Sequence, residues 1–348
     1  MGPQDTLSSP RISVETDDEG LERFFNEGWT DGLPVVLPTQ SRVEAMVAGS
    51  GLSAGELVGQ VPPGGGDATI EKMAVNAVMA GCRPEYMPVI VAAIQALLEP
   101  PFNLRAIQTT TNPTTPLVLV NGPASRALEI NSDYNCMGPG TRANATIGRA
   151  VRLVLVNVGG AVPGQGDKST HGMPGKYTFC FAENEAASPW APLHVERGFS
   201  PEESVVTVFS PQGTTNINSG KRDVEELIAI CAYSTVQVGS NNFMHGQGEA
   251  VMVLCPQHAT MIAEAGYSKA DFKRRLHELA RAPMSMVPAS TRERRGQGLG
   301  ESDSIPLFPN PDQFAVVVAG GPGGIHSAFL PTFADCLSVS KPVLGPKR

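Results

Sequence analysis

The sequence predicts an α/β protein: mixed sheets covered by helices, arranged as two similar α/β halves that an internal duplication would produce. Three observations carry this. Short, continuous apolar runs rich in β-branched residues recur in LVLVNGPASRALEI (117–130), VVTVFSPQGTTNI (205–217), VMVLCPQHATMIAEAG (251–266) and VVVAGGPGGIHSAF (316–329). Such runs mark strands covered on both faces. Each run ends in one or two small or polar residues followed by Pro, which blocks further sheet pairing and presets a first helical turn; at least three of the four then read as helix starts. Segments with helical spacing of apolar residues lie between them. The chain divides accordingly into a polar, acidic and disordered tail (1–20), a first half (21–165), a polar bridging region (166–204) and a second half (205–348).

The elements follow in order. LERFFNEGWTDGLPVVLPT reads as a short amphipathic helix, a turn and a strand near Val35–Leu37, where Pro34 and Pro38 on either side indicate a sheet edge. A helix is expected near Ser41–Ala48 with Ser41 as its N-cap. Ile70, Met73, Ala74, Ala77 and Val78 fall on one helical face, and Gly81 is placed to end that helix. Pro84 opens the next helix, whose VIVAAIQALL stretch is apolar all round and therefore buried, and Pro100–Pro101 stop it. NCMGPGTRANATIGRA is a Gly/Pro loop running into a helix that starts near Thr141–Ala143. TFCF reads as a strand. After a helix from 256 and a break at Gly266, a second helix begins at Ser268 with Asp271 at the fourth place, a capping-box spacing.

The chain has 348 residues, 41% apolar and 17% charged, with a net charge of −8. An acidic protein without a Lys/Arg block is unsuited to nucleic acid or anionic membranes. Its one basic cluster, Arg292, Arg294 and Arg295, reads as a solvated loop. The N-terminal stretch has no apolar core of a secretory signal, and no run approaches the roughly 18 apolar residues of a membrane span. Six scattered cysteines without a CxxC pair point to free thiols and the cytoplasm.

Several constellations can carry chemistry. The loop Gly138–Gly140 before a helix N-terminus, with Arg142 and Asn144 in the first turn, suits an anion. It lacks the Lys-Ser/Thr ending of a P-loop and the spacing of a dinucleotide fingerprint. In AGGPGGIHSAF, Gly321 and Gly323 surround Pro322 after a buried strand, and His326 and Ser327 follow where open α/β sheets bind ligands; His326 is a candidate acid/base, with helix capping as its plain alternative. Cys82, between two helices and beside Arg83, is the best-placed nucleophile. Cys136 ranks second. Cys180, Cys231 and Cys255 lie in apolar runs and read as core. In the bridging region, Glu183 and Glu185 share a side of an extended segment and could do acid–base work. With His171 and His194 they could instead hold a divalent metal, although no compact HxH or HExxH spacing is present. Lys176 lies nearby as an anion ligand. TTTNPTTP (109–116) and QGTTNINSG (212–220) could line a polar pocket or simply form turns.

Taken together, WTDGLPVVLPT, ATIEKMAVNAVMAGCRPEYMPV, GPGTRANATIGRA, KYTFCFAENE, GYSKADFKRRLHELAR and AGGPGGIHSAF resemble a bacterial family associated with UGSC-motif (seleno)proteins, over roughly residues 30–335. The resemblance implies a partner that supplies a thiol or selenol centre, because the tetrad itself does not occur here. It departs from the family at Ile325, where a basic residue is expected.

The resulting expectation is a cofactor-free, thiol-dependent small-molecule enzyme of the lyase or hydrolase class, acting on an anionic or carboxylated metabolite through thiol and acid–base chemistry at the Gly-rich strand-end loops. Cys82, Glu183 and His326 would be catalytic. Arg83, Arg142, Asn144, Lys176, Gly321, Gly323 and Ser327 would bind substrate. The alternatives are a non-catalytic partner subunit in a hetero-oligomer with a UGSC-type protein, and a metal-dependent hydrolase or lyase using His171, Glu183, Glu185 and His194. A homo-oligomer suits the enzyme reading.

Overall fold

A strand that is apolar on both faces needs a packed layer on each side. The computed structural model, which describes residues 7–220 and 223–345, supplies those layers. In chain order its strands are β1 (Leu57–Val61), β2 (Gly66–Thr69), β3 (Leu117–Asn121), β4 (Cys180–Ala182), β5 (Val205–Phe209), β6 (Thr215–Asn218), β7 (Ala250–Leu254), β8 (Arg281–Pro283), β9 (Ser304–Pro306), β10 (Phe314–Val318), β11 (His326–Leu330) and β12 (Val339–Pro342). β1–β2 and β8–β9 are small antiparallel ribbons. The other eight form two mixed four-stranded sheets, ordered β12-β5-β3-β4 and β10-β7-β11-β6. The fold is α/β with mixed sheets.

Period-2 alternation sorts the buried side chains into layers. Leu117 and Leu119 of β3, Phe181 of β4 and Phe209 of β5 meet Val251 and Val253 of β7, Ala315 and Val317 of β10 and Leu330 of β11 between the sheets. Val118, Val120, Cys180, Ala182, Val206 and Val208 face outward onto the helices Ile70–Ala80, Met87–Leu98 and Arg142–Asn157. Met252, Leu254, Phe314, Val316, Val318 and Phe329 face the helices Val224–Thr235, Pro256–Glu264 and Lys269–Leu279. The result is four layers: helices, sheet, sheet, helices. No single helix among the described residues is long and apolar enough to cross a membrane.

The two sheets share one pairing order. Each has a parallel pair (β3 with β4, β7 with β10), then an antiparallel neighbour (β5, β11), then an antiparallel edge strand (β12, β6). The edge strands are exchanged. After β5 the chain crosses to the second sheet as β6, and after β11 it crosses back as β12. The two crossings run side by side: Gln212 N–H donates to Pro331 O (2.8 Å) and Phe333 N–H to Ser210 O (3.0 Å). The first sheet thus draws strands from 117–121, from the bridging region and from 205–348.

Several local expectations change. Only two of the four Pro-terminated strands lead into helices, Pro123–Ala127 and Pro256–Glu264. The other two lead to β6 and β11, whose TTNIN and HSAFL segments pair with each other instead. Val35–Leu37 is extended but forms no strand; Val36 N–H donates to Met79 O at the end of a helix. The helix after it is Gln40–Ser50, entered from Thr39 rather than Ser41. Within the expected tail, Asp17–Asn26 is a helix. The Thr16 hydroxyl caps Glu19 N–H, and three acidic residues occupy the first turn. Ser8 and Ser9 bond to the Glu71 carboxylate, and residues 1–6 lie outside the described residues. The bridging region contains β4 and a helical turn, Leu193–Glu196. Arg292, Arg294 and Arg295 sit on the helix Ala289–Arg295, where Arg295 turns inward over the Phe243 ring and donates to Pro306 O (2.7 Å). Gly81, Pro84 and the Ser268–Asp271 capping box stand as read.

Phe181 is fully buried between the sheets. Phe181→Ala is expected to lower unfolding free energy by about 3–5 kcal/mol, measured by urea denaturation.

Candidate functional site

The alternation that builds the inter-sheet layer turns polar at the carboxyl ends of β3 and β4. Asn121 continues the side of Leu117 and Leu119, and Glu183 continues the side of Phe181. Both are buried. Asn121 Nδ2 donates to Glu183 Oε2 (2.7 Å) and to Glu185 Oε1 (3.2 Å). Leu193 N–H donates to Glu183 Oε2 (2.8 Å), and Gly122 N–H to Glu185 Oε1 (2.6 Å). That turn requires glycine: Gly122 has φ +81°, and a Cβ there would lie 2.0 Å from Glu203 O. Arg126 lies 3.4 Å from Glu185, and His194 Nδ1 lies 3.8 Å from it on the inner side.

This group contains buried polar atoms with no hydrogen-bond partner in the protein: Glu183 Oε1, Asn121 Oδ1 and both ring nitrogens of His194. Native structures leave few buried polar groups unpaired, so their concentration in one place marks a site. Burial pushes the Glu183 carboxyl above its ordinary range. The Lys269 charge, Leu193 N–H and the Asn121 amide pull it back only in part, and Glu185 adds to the rise. A carboxyl so placed is biased toward its protonated form.

Above Glu183 opens a cleft of about 600 Å³ whose walls include Arg126, Glu129, Asn131, Asp133 and Arg142. Arg142 begins a 16-residue helix whose cap residue, Thr141, makes no side-chain cap bond, and Gly140 lies beside it. Arg142 Nε donates to Gly81 O (2.9 Å). The far side is steadied by Asn184, whose N–H donates to Val318 O (2.7 Å) at the end of β10, and by Gly320 N–H on Ser132 O (2.9 Å). The carboxyl ends of the two parallel pairs therefore meet, where open sheets bind ligands.

Of the residues expected from sequence, Arg142, Glu183 and Glu185 share this cleft. Asn144 lies buried behind it and fixes the wall, accepting from Asn131 N–H (2.7 Å) and donating to Asn131 O (2.9 Å) and Cys136 O (3.1 Å). Arg83 lies outside, 3.9 Å from Glu129. Gly321 packs on the Tyr134 ring and Gly323 is exposed. Cys82 is not at the cleft: its Sγ donates to Thr146 O (3.2 Å), and burial pushes its pKa to about 12 against the weaker pull of Arg142 and Arg149. Cys136 is likewise pushed up by burial, to about 11. Both are held as thiols. Lys176 belongs to a separate buried ion cluster, 2.6 Å from Asp167, which also pairs with Arg152 at 2.9 Å. His326 opens a strand rather than a helix and is exposed, with Nδ1 3.2 Å from Asn216 Oδ1. Ser327 is buried against His258. His171 is exposed, and no set of three or more His, Cys, Asp or Glu among the described residues is arranged to hold a metal.

Asn121 escapes sequence reading because it ends an apolar strand as an ordinary turn residue. Cys255 and His258 escape it because Cys255 reads as the end of another apolar run. The signal available was the Cys-Pro-Gln-His spacing across a strand–helix junction. In comparisons with known proteins, no family model, curated protein or solved structure matches this chain. The resemblance to the UGSC-associated family rests on its quoted segments alone.

A carboxyl whose folded pKa is raised contributes stability below its unfolded pKa, and loses it as pH rises through the folded value. Glu183→Gln keeps an oxygen for Asn121 and Leu193 and removes the titration. In urea denaturation the variant is expected to gain on the wild type as pH rises above the ordinary carboxylate range. The gain is about 1.4 kcal/mol for each pH unit over which only the unfolded carboxyl is ionised.

Proposed function

We propose that the cleft at the carboxyl ends of β3 and β4 is the active site of an enzyme acting on a small carboxylated metabolite by acid–base chemistry, in the hydrolase or lyase class. The observation that carries this reading is the buried group of unpartnered polar atoms around Glu183, which itself lines the cleft. A protein stabilises such a group at a net cost unless it serves a ligand. Arg142 and the uncapped first turn of its helix offer a positive pole for a carboxylate. Glu185, Asp133 and Asn131 offer acceptors, so the substrate carries hydroxyl or amino donors as well. Glu183 is the general acid, delivering its proton to a leaving or departing oxygen or nitrogen. Cys82 has no part in this chemistry. All six cysteines are free thiols, which suits a reducing compartment such as the cytoplasm.

The test uses succinate, malate and aspartate as probes in thermal-shift measurements. At least one is expected to stabilise the wild type, by about 2.7 kcal/mol at 100 times its Kd, and to lose that effect with Arg142→Met. Failure of all three, or equal stabilisation of the variant, overturns the reading. With a turned-over substrate in hand, Glu183→Gln is expected to lower kcat about 10²–10⁴-fold.

A further inference from the structure

A second cluster of reactive groups lies at the carboxyl end of β7, in the other sheet. Cys255 is the cap residue of the helix Pro256–Glu264, and His258 stands one turn along it. The His258 ring is clamped at both nitrogens, Nδ1 at 2.7 Å from Ser327 Oγ and Nε2 at 2.8 Å from Ser219 O. A carbonyl only accepts, so Nε2 carries a proton, and Nδ1 is free to share one with its neighbours. Cys255 Sγ is 3.3 Å from Gly324 O. That carbonyl belongs to Gly320–Gly324, a segment whose only side chain is the Pro322 ring. Cys255 is also set apart electrically. Burial raises its pKa, but the His258 ring, the His258 N–H and the Ser327 hydroxyl outweigh burial and bring it below the ordinary thiol range. His258 moves up in response, burial being outweighed by Cys255 and the Ser219 carbonyl. Cys231 stands near enough to sense the Cys255 charge and is itself pushed up to about 12, mainly by burial.

We propose that Cys255 and His258 form a second reactive centre, a nucleophilic pair that exchanges with low-molecular-weight disulfides. The thiolate attacks one sulfur of RS–SR. A new S–S bond joins Cys255 to that sulfur, and the original S–S bond breaks. Its electron pair leaves on the second sulfur, which takes the imidazolium proton of His258 and departs as RSH. No other oxidant enters. Acyl transfer fits less well: a developing oxyanion would look to the nucleophile's own N–H, and Cys255 N–H is already given to Ser327 Oγ at 3.1 Å. Disulfide exchange develops no oxyanion. Cys255 is only 4% exposed, so the partner is small and enters past the glycine segment.

The test treats the intact native protein with 2-hydroxyethyl disulfide at pH 6 and pH 8 and locates the mixed disulfide by peptide mass mapping. Cys255 is expected to react first, with a rate that falls between pH 8 and pH 6 by clearly less than an ordinary thiol's. An ordinary thiol of pKa near 8.5 loses about 75-fold of its thiolate over that interval. His258→Asn is expected to restore the steep fall. Ser327→Ala, which removes only the hydroxyl that seats the ring, is a milder variant expected to move the pH profile upward. A folded wild type in which Cys255 reacts no faster than the other cysteines, or with the steep fall of an ordinary thiol, overturns the proposal. These readouts do not involve the Glu183 cleft, so the two proposals stand or fall separately.

Discussion

The apolar layer between the two sheets places everything else. Its side chains come from alternate positions of β3, β4, β5, β7, β10 and β11, and, Ser327 apart, the outward positions of the same strands are also apolar. Neither face of either sheet can therefore meet water without exposing a large apolar area. Stacking the sheets covers the inner faces, and helices must cover the outer ones. The helix Met87–Leu98, apolar all round, and the long helix Arg142–Asn157 are the covers this demands.

The same alternation explains how much was readable. The strands at 117–121, 205–209, 250–254 and 314–318 are legible because a run without polar residues has one stable environment. The helices at 70–80, 87–98 and 142–157 are legible from period and caps. The sheet order is not, because β6 and β12 are short, half-buried strands that pair across the molecule. Their placement depends on tertiary contacts that local pattern does not encode. Reading His326 as a helix opener fails for this reason. The site divides in the same way. Arg142 and Glu183 are legible as a charge after a glycine loop and a carboxylate after a strand. Cys82 looked reactive from its neighbours in sequence. In space it faces the Thr146 carbonyl in a dry interior, and desolvation outweighs the distant arginines.

Glu183 and Cys255 show opposite electrostatic solutions beyond the carboxyl ends of strands in the two sheets. Glu183 is buried beside a second carboxylate, and the Lys269 charge and the donors around it do not offset burial, so its neutral form is favoured. Cys255 has an imidazole held against it by two fixed acceptors, so its charged form is favoured.

The crossing at Ser210–Gln212 and Pro331–Phe333 bears on how the chain is made. During synthesis, β3, β4 and β5 emerge early, yet the outer edge of their sheet stays open until residues 339–342 arrive. β6 likewise waits for β11 before it has a neighbour. The first sheet has an unpaired edge throughout the synthesis of residues 210–338, and β5 is the strand left bare. Its VVTVF sequence is the kind that pairs with other chains when exposed. The nascent polypeptide therefore needs shielding along that edge, and the time of greatest exposure is set by ribosome speed rather than by the stability of the finished protein.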